Sequence, residues 1–97
     1  MNILRITAKA NPEKEYELKQ ALKSALAKTS KFEGVKNRCC KSIFEENIFH
    51  VEQEWESSSS LQAYLKSKEF QYLTGAITVL GELIEQKIIN AASVEEI

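Results

Sequence analysis

Apolar positions recur at two spacings along this chain, and each change of spacing marks a new element. Ile3, Leu4, Ile6 and Ala8 alternate in part, which predicts a strand over residues 2–9. Asn11-Pro12 then opens a helix. Asn11 can accept from a free first-turn amide, and Pro12 suits the first helical position, where a missing N–H costs nothing. Glu13 and Glu15 suit the positive end of the helix dipole. Leu18, Ala21, Leu22, Ala25 and Leu26 make one apolar stripe, so the helix is predicted over 12–29. Lys14, Lys19, Lys23 and Lys28 cover its solvated side.

Gly34 marks a turn, and residues 35–44 read as a polar strand whose apolar members are Val35, Cys39, Ile43 and Phe44. Glu45-Glu46-Asn47 is a tight connection to a partner strand, Ile48 to Glu56, which ends beside the only tryptophan, Trp55. If Phe44 pairs with Phe49, then Ser42 faces Val51, Cys40 faces Gln53 and Arg38 faces Trp55. The other face of that hairpin then carries Ile43, His50, Lys41, Glu52, Cys39 and Glu54, and a one-residue slip exchanges the faces. Ser57 or Ser58 caps a helical segment over 57–67. A second segment, about 68–80, carries Phe70, Leu73, Ile77 and Leu80 at helical spacing. Gly75 weakens that segment, Gly81 stands where a helix C-cap belongs, Leu83 to Asn90 reads as a last strand, and 91–97 as an acidic tail.

The order β-α-β-β-α-β predicts an α+β fold: a ferredoxin-like split βαβ sandwich, with a four-stranded antiparallel sheet under two helices. Two helices cover one face only. Ile43, Ile48, Ile84, Ile88 and Ile89 are expected on or near the other, which needs cover. A second copy packed sheet to sheet supplies it, so a homodimer is expected.

Composition narrows the function classes. Residues 1–97 make one domain, and a core this small gains from a partner chain. Net charge is −1 with only Arg5 and Arg38 as arginines, which argues against nucleic acid. No apolar run nears the ~20 residues that span a bilayer, so no membrane role is expected. Met1 leads straight into a strand pattern, with no charged leader or apolar signal core, so a cytoplasmic location is expected. Cys39 and Cys40 are adjacent, which fits neither a redox pair nor a zinc spacing, and they read as reduced thiols. Lys36, Arg38 and Lys41 nearby leave a reactive thiol as the alternative. His50, the only histidine, shares a face with Cys39 in the expected register but lies roughly 13 Å from it by strand rise, so no metal site is expected.

Phe49-x-Val51-x-x-x-Trp55, followed by Leu61, Tyr64, Leu65 and Phe70, resembles the antibiotic biosynthesis monooxygenase domains. The topology resemblance spans nearly the whole chain, and the motif covers about residues 49–73. It implies a ferredoxin-like fold that dimerises into a shared α+β barrel. Some members oxidise quinols or polyketide aromatics with O₂ and no cofactor; others degrade haem or act on small signalling molecules. Three departures matter. Many members carry His where Tyr64 stands, and Tyr, with a reference pKa near ~10, is a poor base but a fair donor. Aromatic oxidisers often carry Asn where Val51 stands, and haem degraders carry the axial His where Thr74 stands. Haem breakdown is therefore not expected.

The resemblance implies a small aromatic ligand lined by Phe49, Val51, Trp55, Tyr64 and Phe70, with Tyr64, Gln53 and Arg38 as the polar groups nearest the chemistry. None of the three is a base at neutral pH. The same residues read as core aromatics and strand-edge polar groups if the chain does no chemistry. Two functions follow: a cofactor-independent monooxygenase acting on a small aromatic or quinol, or a dimeric ligand-binding or structural module of the same fold.

Overall fold

The computed structural model describes residues 2–90, so the acidic segment 91–97 lies outside the described residues. The elements are β1 (Asn2–Ala10), α1 (Glu15–Ala27), a 3₁₀ turn (Lys28–Lys31), β2 (Val35–Lys41), β3 (Ile48–Trp55), α2 (Ser58–Leu65), α3 (Lys68–Leu80) and β4 (Gly81–Asn90). The strands form one antiparallel sheet in the order β2-β3-β1-β4. This is the ferredoxin-like arrangement.

Alternation along β1 sets the core. Leu4, Ile6, Ala8 and Ala10 are buried under the helices, while Arg5 and Lys9 point to the open side. The helices answer with Leu18, Leu22 and Ala25 from α1, Leu61 and Tyr64 from α2, and Leu73 and Ile77 from α3. Each of these larger side chains contributes roughly 1.5–3 kcal/mol by leaving water. Serine starts both later helices: Ser57 Oγ accepts from Ser60 N at 3.1 Å and Ser67 Oγ from Phe70 N at 3.2 Å.

Several expectations are corrected. Helix α1 starts at Glu15, not at 12. Pro12 instead occupies the second position of a β-turn, closed by Lys14 N donating to Asn11 O, with Glu13 at φ 71°. Gly81 is no left-handed cap: its backbone is extended and it is the first residue of β4. The hairpin register is shifted by three residues. Val35, not Arg38, stands opposite Trp55, and Arg38 stands opposite Glu52. Strand β2 stops at Lys41 because Ser42 Oγ accepts from the amides of Phe44 and Glu45, which turns the chain into a loop. Ile43 and Phe44 sit at its tip, 89% and 90% exposed.

An odd shift exchanges the faces of β2. The open face keeps the charged residues of β3 expected there, and from β2 it carries Lys36, Arg38 and Cys40 in place of Cys39, Lys41 and Ile43. Lys87, Arg5, Glu52 and Arg38 form one row across it, with Arg5 bridging Glu52 at 2.9 Å. Glu85, Thr7, His50 and Cys40 form the next, with Thr7 Oγ1 3.1 Å from His50 Nδ1. Cys39 and His50 do not share a face; Cys40 is the thiol opposite His50. Of the isoleucines expected on the open side, Ile48 and Ile89 belong there, Ile88 pairs with Leu4 on the helix side, and Ile84 falls in a bulge of β4.

Candidate functional site

Strand β3 ends on Trp55, where Glu56 N donates to Gly34 O and closes the sheet end. Helix α2 begins at once and carries Tyr64 back over the tryptophan, the ring centroids 4.9 Å apart. Phe32, just past the 3₁₀ turn, meets Trp55 and Tyr64 edge-on at 5.8 and 5.5 Å. Phe70, in the first turn of α3, meets Tyr64 at 5.3 Å. Such pairs add about 0.5–1.5 kcal/mol each beyond their buried area. Trp55 and Tyr64 are wholly buried, whereas Phe32 and Phe70 are half-buried and form the rim. Across that rim Lys31 bridges Glu69 at 2.7 Å.

Polar groups enter this aromatic cluster from the sheet. Gln53, fully buried, donates through Nε2 to Asn37 Oδ1 at 3.0 Å and to Tyr64 Oη at 3.3 Å. Asn37 Nδ2 donates to Thr29 Oγ1 at 2.8 Å, and Thr29 donates to Leu26 O at 2.7 Å. Two buried atoms have no partner among the described residues: Gln53 Oε1, an acceptor, and Trp55 Nε1, a donor.

Burial pushes the Tyr64 phenol above its ordinary value of 10.0; the Gln53 hydrogen bond opposes this and the Glu69 carboxylate adds to it. Tyr64 therefore keeps its proton across the neutral range and serves as a donor, not a base. Glu69 is held below the usual carboxylate range, chiefly by its bond to Lys31. Packing around the Cys39 thiol, and Cys40 beside it, push the Cys39 pKa up, against an activated nucleophile.

Trp55, Tyr64, Gln53 and Phe70 come together here. Val51 lies one inward step from Gln53 as core wall, between Ile6 and Cys39. Phe49 is buried at the far end of β3, roughly 20 Å from Trp55 along the strand. It floors a separate surface groove of about 430 Å³ that Lys19, Lys23 and Lys41 border. Arg38 is on the opposite face of the sheet. A cleft of about 330 Å³ lined by Gly34, Val35, Lys36, Glu54 and Glu56 reaches the Trp55 position from the sheet end. Thr74 spends its hydroxyl on Phe70 O within α3. No group of three or more His, Cys, Asp or Glu able to hold a metal occurs among the described residues, and no described helix is long and apolar enough to cross a membrane.

Asn37, Thr29 and Phe32 were not foreseen from the sequence. Asn37 is two residues from both Val35 and Cys39 and shares their face, so an inward Val35 implies an inward Asn37 once the register is known.

The family profile described as antibiotic biosynthesis monooxygenase matches residues 1–73. No curated protein matches the chain. Solved structures share the fold. A conserved protein of unknown function from Bacteroides thetaiotaomicron, described as a candidate oxidoreductase, superposes with a TM-score of 0.81 at 21% identity, over 91% of this chain and 94% of that one. A candidate antibiotic biosynthesis monooxygenase from Deinococcus radiodurans gives 0.78 at 19% identity, over 92% and 88%. Another from Nitrosomonas europaea gives 0.74 at 12% identity, over 92% and 94%.

Proposed function

Since this chain belongs to the antibiotic biosynthesis monooxygenase family, we propose that it oxidises a small aromatic or quinol with O₂, without a cofactor, in the ring cluster built on Trp55. One observation carries the reading: two buried polar atoms, Gln53 Oε1 and Trp55 Nε1, lack partners beside that cluster. Native interiors leave few such atoms unmet, and those that remain ask for an explanation. A ring-bearing ligand with polar substituents supplies both a stacking body and the missing partners.

The chemistry asks little of the protein. Trp55 and Tyr64 hold the ring, and the half-buried Phe32 and Phe70 give way to admit it. The Tyr64 hydroxyl and the Trp55 indole N–H donate to the ligand's oxygen as it gains negative charge. The resulting electron-rich anion reacts with O₂. In overall balance an enolisable ring CH₂, bound as its phenol tautomer, loses two hydrogens and gains one oxygen as a carbonyl. The two hydrogens leave with the second oxygen as water.

Neither Tyr64 nor Gln53 takes the substrate proton, because Tyr64 stays protonated and Gln53 is neutral. The rate is therefore expected to rise with pH along the substrate's own ionisation, and to shift when ring substituents change that pKa. Oxygen uptake with a panel of quinols and anthrone-like phenols tests this, with Trp55→Phe as the control that keeps the ring but loses the N–H. Uptake should fall roughly tenfold or more in that variant. A profile fixed at one pH for all substrates points to a protein base and counts against the scheme. The closed packing of the four rings favours a second reading, a ring-binding module without chemistry. Saturable ligand quenching of Trp55 without oxygen uptake would select it.

The same family membership supports a homodimer that closes an α+β barrel. Its physical support differs from the expected apolar sheet face. Exposed apolar groups among the described residues include Ile43 and Phe44 at the hairpin tip, Val79 at the end of α3, and Leu83, Ile84 and Ile88 on the edge strand β4. Covering them favours association. Sedimentation equilibrium near micromolar concentration is expected to give twice the 11.0 kDa chain mass. A monomer there removes the barrel.

A further inference from the structure

The amides beside the ring cluster are held in one orientation by a chain of hydrogen bonds that starts at a backbone carbonyl. Leu26 O has no proton to give, so Thr29 donates to it at 2.7 Å. Its one proton committed, the Thr29 hydroxyl can only accept, which turns the NH₂ group of Asn37 towards it at 2.8 Å. Asn37 Oδ1 then faces Gln53, and Gln53 must present its NH₂ group, at 3.0 Å. The remaining N–H of that group reaches Tyr64 Oη at 3.3 Å. What is left is Gln53 Oε1, a bare acceptor on a side chain that is 0% exposed. Turning the Gln53 amide over would set oxygen against oxygen at Asn37, and correcting that would break the bond to Thr29.

We infer that Asn37 is a positioning residue that sets ligand specificity: by fixing the Gln53 amide with its oxygen unmet, it makes the site select rings that donate a hydrogen bond over ethers or carbonyls of the same shape. The inference rests on the ring-binding reading given above. A hydroxyl or amine on the ligand satisfies Gln53 Oε1. An ether or carbonyl oxygen there leaves two acceptors facing each other, both buried and unmet. Discrimination of about tenfold or more is expected.

Trp55, the only tryptophan, reports binding. Its fluorescence is titrated anaerobically with a naphthol and with the methyl ether of the same naphthol. The wild type should bind the naphthol about tenfold or more tightly than the ether. Asn37→Leu frees the amide to turn, and the ratio should fall towards one, with the ether gaining. Asn37→Asp still accepts from Gln53 Nε2 and should keep the wild-type ratio, which a merely structural role for this position does not predict. Asn37 lies on the exposed edge strand β2, so both variants are expected to fold. Equal affinities in the wild type, as when a buried water already meets Gln53 Oε1, overturn the inference while the ring-binding reading stands. An unchanged ratio in Asn37→Leu, or a collapsed one in Asn37→Asp, overturns the role of Asn37. No saturable quenching by either ring overturns the ring-binding reading itself, and this inference with it.

Discussion

Gly81→Ala destabilises the domain by about 3 kcal/mol or more, while Gly75→Ala, six residues earlier, leaves it unchanged or stabilises it by up to ~1 kcal/mol. The contrast comes from what a methyl group meets. At Gly81 a Cβ would lie 2.1 Å from the backbone oxygen of Lys9 and 3.0 Å from Ala10 Cα. Neither can move without disturbing β1, one of the two central strands of the sheet. No loop separates α3 from β4, so the junction has no slack to take up the shift. At Gly75, in the interior of α3, a Cβ meets nothing within 4 Å, and alanine gains the helix propensity that glycine lacks. Urea unfolding of both variants measures the difference. Equal stabilities would mean that the β1–β4 pairing relaxes far more easily than its close approach implies.

Trp55→Ala is expected to cost about 3–5 kcal/mol, the range for emptying a large buried aromatic site. Trp55 is wholly buried, and its removal takes away the ring contacts to Phe32 and Tyr64 together. Tyr64 cannot collapse into the space without leaving Gln53. For a domain of this size the loss corresponds to a fall in melting temperature of roughly 12 °C or more. It is a large share of the ~5–15 kcal/mol that holds a typical domain together. Calorimetry of the variant checks it, and a loss under about 1 kcal/mol would show that the four rings do not act as core. The same magnitude is why Trp55→Phe, not Trp55→Ala, serves as the control for activity.

Much of this architecture was legible in the spacing of apolar residues. The order of elements and the cap at Ser57 follow from short-range pattern, which local chemistry enforces. The hairpin register was not legible. Ile43 and Phe44 look like the end of a strand, yet one hydroxyl, Ser42 Oγ, binds two successive amides and ends it early. Moving the turn by three residues exchanged the faces of β2. Arg38 left the neighbourhood of Trp55, and Asn37 entered that of Gln53. The orientation of Gln53 was hidden for a related reason. It depends on Thr29 and Leu26, which reach the site from a helix end rather than from the neighbouring strands.

The loopless joint at Gly81 also makes α3 a lever. Its C-terminal end is fixed at the end of β1, through Asn11 N donating to Leu80 O at 2.9 Å and through the pairing of Gly81 with Ala10. Its other end carries Phe70, roughly 16 Å away along the helix axis. A tilt of about 5° around the fixed end moves Phe70 through an arc of about 1.4 Å and leaves the fulcrum almost still. The ring that caps Tyr64 therefore rides on the long arm, and the Lys31–Glu69 bridge beside it acts where the least force holds the helix down.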